Sequence, residues 1–179
     1  MYLFNKQLGL PARNSQDAPL HRGFNKGYFY RGMLLLIAFS VQEYFDWRWP
    51  WLTELQADNS YQQISGFVLV AFLAQQWHCS VLRNQGLMRE AGKLLHRHKT
   101  LGSWAPLVFY AHSQTLGYAY LQLLSLVYLA IFLTGLFSFE TTRIKKSWFQ
   151  PVWITVHVGL SIALVFLTVY HGYISYAYR

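Results

Sequence analysis

Apolar residues in this chain are gathered into blocks. Tyr28 to Phe45, Ile64 to Leu82, Leu101 to Ala111, Tyr118 to Phe139 and Val152 to Tyr170 are mostly apolar. A helix needs about 20 residues to cross the hydrocarbon of a bilayer. The second, fourth and fifth blocks meet that length. The first is short and ends in Gln42 and Glu43, and the third meets it only if His112 and the residues up to Gly117 join the helix. The pattern predicts an all-α membrane protein, a five-transmembrane-helix bundle over residues 28–179. Residues 1–27 hold Pro11, Asn14, Asp17 and several bases with no early apolar core. They are expected to form a basic cytoplasmic segment and not a cleavable signal peptide.

Composition agrees with this class. Charged residues make up 12% of the 179, against about 25% in an ordinary soluble domain. The net charge of +8 would suit nucleic acid, but the placement of the bases argues against that partner. Thirteen of the fifteen lie in three segments, the N-terminal stretch from Lys6 to Arg31, the stretch after the second block (Arg83 to Lys99) and that after the fourth (Arg143 to Lys146). The stretch from Glu43 to Ser60 carries only Arg48 against four acids. Positive segments stay on the cytoplasmic side, so the N-terminus is predicted inside and Asp46 to Ser60 outside.

Both later basic segments then lie inside, and an even number of crossings must separate them. Read as one helix, Leu101 to Phe139 would run roughly 58 Å and put the two segments on opposite faces. Read as two, it bends near Ser113 to Gly117, where Ser113, Gln114, Thr115 and Gly117 supply turn residues. The C-terminus falls outside. Trp47, Trp49 and Trp51 suit the outer interface, where aromatic rings sit at headgroup level. A multi-pass protein of lipid bilayers, in a bacterial plasma membrane, is the expected setting.

The candidate chemistry lies in the histidines. His98 and His112 are 14 residues apart on the third helix, and His157 and His171 are 14 apart on the fifth. That spacing leaves each pair about 40° from in line and about 21 Å apart along the axis. One crossing separates the two helices, so they run parallel. His98 and His157 then share the inner level, and His112 and His171 the outer. Two facing imidazoles are what bis-histidine ligation of haem iron requires, and two haems at these levels would carry electrons across the bilayer. Gly102, Ala105, Ser161 and Thr168 leave room between the ligands, while Phe109 and Leu164 could fill the gap between two rings. Pro106 should kink the third helix by removing a backbone donor. His96 is a register alternative that the rotation disfavours, and His21 lies in the basic tail.

Secondary candidates are His78, read as a third ligand, a quinone contact or a structural histidine, and Arg97, Lys99 and Arg83, placed to meet haem propionates or simply to set topology. Glu43 and Asp46 sit near the outer end of the first helix. The single Cys79 leaves no CxxCH motif, so haem would be bound non-covalently.

The segment from His98 through Lys99, Leu101 and Gly102 to His112 resembles the H-[RK]-x-L-G…H helix of ferric-reductase-like transmembrane domains. A second histidine pair two helices later, here His157 and His171, is that superfamily's other hallmark. The resemblance covers roughly residues 60 to 175 and implies two b-type haems, ligated by His98 with His157 and by His112 with His171. The chain has no glycine-rich dinucleotide fingerprint and only eight residues after His171. The expectation is therefore an electron-transfer subunit of a larger membrane redox complex, not a self-contained oxidoreductase. Its partners would be electron donor and acceptor proteins or a quinol. Two alternatives stand beside it. One is a quinone-reactive cytochrome b resembling the b561 group, with four helices and only the His112–His171 pair. The other is a haem-free structural accessory subunit.

Overall fold

A computed structural model describes residues 26–142, 144 and 146–178, without the side chains of Lys26, Arg83, Asn84, Met88, Phe139 and Glu140. The basic N-terminal segment, apart from its last two residues, and the side chain of Arg83 lie outside the described residues. The described chain is helical: α1 (Lys26–Tyr44), α2 (Pro50–Ala57), α3 (Asn59–Asn84), α4 (Met88–Gly102), α5 (Ala105–His112), α6 (Tyr120–Leu136), α7 (Phe139–Thr142) and α8 (Phe149–Ala177).

Each apolar block becomes helix. The third does so with a break. α4 starts well before the apolar residues, at Met88, and runs to Gly102 with Ala91 buried and Glu90, Lys93 and Arg97 exposed. Pro106 has no N–H to offer the Gly102 carbonyl, so the helix stops and restarts. The Trp104 N–H turns back to Leu101, and α5 begins with the proline in its first turn. α5 ends at His112, and the expected bend follows it. Gly117 takes φ +76°, and a Cβ there would stand 2.7 Å from the Leu121 Cβ. Only glycine fits that turn.

Side-chain contacts fix the helix directions. Arg31, early in α1, reaches Ser103 at the α4–α5 break, and Gln42, late in α1, reaches Gln114 beyond α5. Ser65, early in α3, meets His112, and Gln76, late in α3, meets His98. Thr134, late in α6, meets His157, early in α8, whereas Tyr120, early in α6, packs on Tyr170 and His171. Thus α1, α4–α5 and α8 run one way, and α3 and α6 the other. The alternation puts the start of α1 at one end of the bundle, called inner below, and the end of α8 at the other.

The core is thin and aromatic. Phe39, Phe109, Tyr128, Phe132, Leu136 and Leu164 are buried together. The Phe109 ring lies 5.5 Å from Phe39 and 5.4 Å from Tyr128. Outside this seam the helices present apolar faces outward. Leu34, Ile37, Phe67, Val68, Phe166 and Val169 are all more than half exposed. Two stretches, Asn59–Leu82 and Phe149–Ala177, are long and apolar enough to cross a membrane, and only 6% of each apolar window is buried. A soluble protein buries its most apolar helix. Exposure of these two supports association with a membrane.

Candidate functional site

Four histidines meet in two pairs. The rings of His98 and His157 are 6.4 Å apart, centroid to centroid, with their planes at 78°. The rings of His112 and His171 are 6.3 Å apart, with planes at 77°. A metal–imidazole bond is about 2.0 Å and a ring nitrogen lies roughly 1.2 Å from its centroid, so two imidazoles trans on one ion stand about 6.4 Å apart. Both pairs have that spacing. All four rings are half-buried.

Hydrogen bonds select the nitrogen left for a ligand. His98 Nδ1 lies 3.1 Å from the Gln76 carbonyl, which can only accept, so Nδ1 carries the proton. Thr134 Oγ1 lies 2.7 Å from His157 Nδ1 and donates its own proton to the Ile131 carbonyl at 2.8 Å. A hydroxyl has one hydrogen, so Thr134 accepts from His157 Nδ1–H. Ser65 repeats the arrangement, 3.0 Å from His112 Nδ1 while donating to the Gln62 carbonyl at 3.2 Å. In all three rings the proton therefore sits on Nδ1 and the lone pair on Nε2. A ligating histidine is normally oriented in this way through its other nitrogen. His171 differs, since its Nδ1 is buried with no hydrogen-bond partner and the Tyr120 ring is 6.2 Å away.

A cavity of about 440 Å³ opens at the inner pair, lined by His98, Gly102, Ala105, Gly135, His157 and Ser161 among others. Small residues line it, and a Cβ at its glycines would reach ordinary van der Waals contact. A Cβ on Gly135 would stand 3.6 Å from His157 Cε1, and one on Gly102 would stand 3.5 Å from Gln76 Oε1. Leu164 and Phe109, buried at 2% and 5%, fill the seam between the two levels. Thr168 is half-buried.

The secondary candidates separate. Lys99 lines the inner cavity, with Nζ 6.0 Å from the centre of the Tyr28 ring. His78 and Arg97 lie instead on a small cavity of about 120 Å³ behind His98, with Gln75, Cys79 and Leu94. His78 is exposed there, on the same small cavity as His98. Glu43 and Asp46 both pair with Arg48, at 3.0 and 2.9 Å.

Several residues that hold the site have no spacing signature. Gln114, 3% exposed, binds the Trp49 N–H at 2.9 Å and the Thr53 hydroxyl at 3.0 Å, and accepts from Tyr110 at 3.1 Å. Gln56 and Tyr61 donate to the Ala111 carbonyl at 3.2 and 2.7 Å. Together they tie the end of α5, and so His112, to α2 and α3. Arg31 does the same at the inner break. It donates to the Ser103 hydroxyl and the Thr100 carbonyl at 2.9 Å and lies 4.6 Å over the Trp104 ring. The available signal was a polar residue, Arg31, Ser65 or Thr134, inside an apolar run.

Two imidazole nitrogens at each level are a donor set that would suit haem iron, whereas a bare zinc ion takes four ligands. Among the described residues no cluster of three or more His, Cys, Asp or Glu could hold a metal ion. Compared with protein-family models, curated proteins and solved structures, the chain matches none.

Proposed function

We propose that this protein carries electrons across a membrane through two b-type haems, the inner held by His98 and His157 and the outer by His112 and His171. The observation that carries this reading is the pair of facing imidazoles at 6.4 and 6.3 Å, with Nδ1 hydrogen-bonded in three of the four rings. Haem bound at each level would supply a one-electron couple. The chain's own residues do the rest. Gln76, Thr134 and Ser65 fix the imidazole tautomers. Gly102 and Gly135 leave room beside the ring edges. Phe109 and Leu164 exclude water from the seam between the levels. Lys99 is placed to meet an anionic group at the inner cavity.

The helices cross the bilayer five times, with α4 and α5 together forming the third crossing and the N-terminus inside. The resemblance to ferric-reductase-like domains and the alternating helix directions support this. Electrons enter and leave through partner proteins or a quinol, in a larger complex of a bacterial plasma membrane. A dithionite-reduced minus oxidised spectrum of the purified protein, with haem quantified per chain, tests the reading. A b-type α-band with two haems per chain is expected. Folded protein without haem, expressed with adequate haem supply, would overturn the reading and leave a structural membrane subunit.

A further inference from the structure

We infer that Thr134 and Trp153 are positioning residues for His157, fixing both the protonated nitrogen and the plane of that ring. The inference rests on the haem reading above and concerns how the chain tunes its inner site.

His157 is held from two sides. Thr134 Oγ1 accepts the Nδ1 proton at 2.7 Å, as its own hydrogen is committed to Ile131. On the ring face, the Trp153 indole stacks with centroids 5.5 Å apart and planes within 13°. The indole is itself fixed, because Nε1 donates to the carbonyl of the same Thr134 at 2.7 Å. One turn of α6 thus anchors the edge of the imidazole through its hydroxyl and the face through its carbonyl. Trp153 and His157 are four residues apart on α8, so both rings leave the same helix face. The ring of His157 can neither flip nor rotate without breaking one of these contacts.

Two consequences follow for a bound haem. An acceptor on Nδ1–H makes the imidazole a stronger donor and favours ferric over ferrous iron. The held plane keeps His157 at 78° to His98. Nearly perpendicular axial imidazoles leave ferric iron orbitals almost degenerate. The electron paramagnetic resonance signal is then highly anisotropic, in contrast to the rhombic signal of parallel rings.

The test uses the full chain, purified in detergent with its haem, in wild-type, Thr134→Val, Thr134→Ser and Trp153→Phe forms. Potentials are read by redox titration and ligand planes by resonance. Thr134→Val is expected to lower the ferric-to-ferrous preference of the inner site three- to tenfold. At 59 mV per tenfold for one electron, that raises its potential by about 30–60 mV. The outer potential stays unchanged and the inner signal moves toward the rhombic form. Thr134→Ser restores both values. Trp153→Phe keeps a stacked ring and loses only the indole N–H, and is expected to shift the same two readouts less, without depending on how well Thr134→Val binds haem. Unchanged inner potential and unchanged signal in haem-loaded Thr134→Val and Trp153→Phe would overturn the inference and leave the haem reading standing. Wild-type protein without haem would overturn the haem reading itself.

Discussion

Ser65 on α3 holds His112 on α5, Oγ to Nδ1, at 3.0 Å. The next residue makes room for the same ring, for a Cβ on Gly66 would stand 3.4 Å from His112 Cε1. Gly135 has the matching place beside His157, at 3.6 Å. Gly66→Leu is therefore expected to displace His112 and remove the outer haem while the inner stays, and Gly135→Leu to do the reverse. Haem per chain and the two midpoint potentials distinguish the sites. Loss of the same haem in both variants would refute the pairing of glycine with ligand.

The ligand variants separate the levels directly. His112→Ala or His171→Ala should abolish one redox couple, and His98→Ala or His157→Ala the other, since each ring faces a single partner. Of the outer pair, His171 lacks a partner on Nδ1, and His112 has one. A chase with excess apomyoglobin is accordingly expected to strip the outer haem before the inner, followed by the loss of its absorbance.

Gln114 ties three elements together through one buried side chain. Gln114→Leu would leave the Trp49 N–H without its acceptor. The cost is expected to be about 1–3 kcal/mol, seen as a lower midpoint in thermal unfolding in detergent. The outer site should loosen first, because the α5 end that carries His112 is anchored there.

Arg31 acts at the other end. Arg31→Met keeps the length of the stem and removes the bonds to Thr100 and Ser103 and the contact over Trp104. A hydrogen bond to a charged group contributes about 1.5–3 kcal/mol. A loss of that order is expected in stability, with faster proteolysis near the α4–α5 break as a second measure.

Topology has its own test. In a Cys79→Ser background, Thr115→Cys in intact cells should react with a membrane-impermeant maleimide added outside, because the five crossings proposed above would put the bend after α5 on the outer face. Protection of residue 115 from outside, with labelling after permeabilisation, would favour the four-helix arrangement.

The apolar blocks and the repeated 14-residue interval were legible in the chain. Helical period is a local property, so residues 157 and 171, on one unbroken helix, fall near one face whatever surrounds them, whereas 98 and 112 lie on either side of the α4–α5 break. The proline that breaks the third helix was legible too, because a missing N–H acts on its own backbone. The extent of the break was not. α4 reaches back to Met88 through a polar, basic stretch, where burial of Ala91 against α3 outweighs the weak apolar signal. The side chains of Gln75 and Gln76 bond to each other at 3.1 Å, and it is the Gln76 backbone carbonyl that meets His98.

By itself the sequence determined where the long apolar helices lie and that His157 and His171 share a helix face; it did not show the helix over Pro50–Ala57 or the reach of α4 back to Met88. Only the tertiary structure decided how far apart the paired rings stand, which nitrogen is committed in three of them, and which polar residues do the committing. Thr134 meets His157 across 23 positions and Ser65 meets His112 across 47. Such contacts depend on how helices rotate and shift against one another. That is settled by the packing of the Phe39, Phe109, Tyr128 and Leu164 seam, and no periodicity within one helix encodes it.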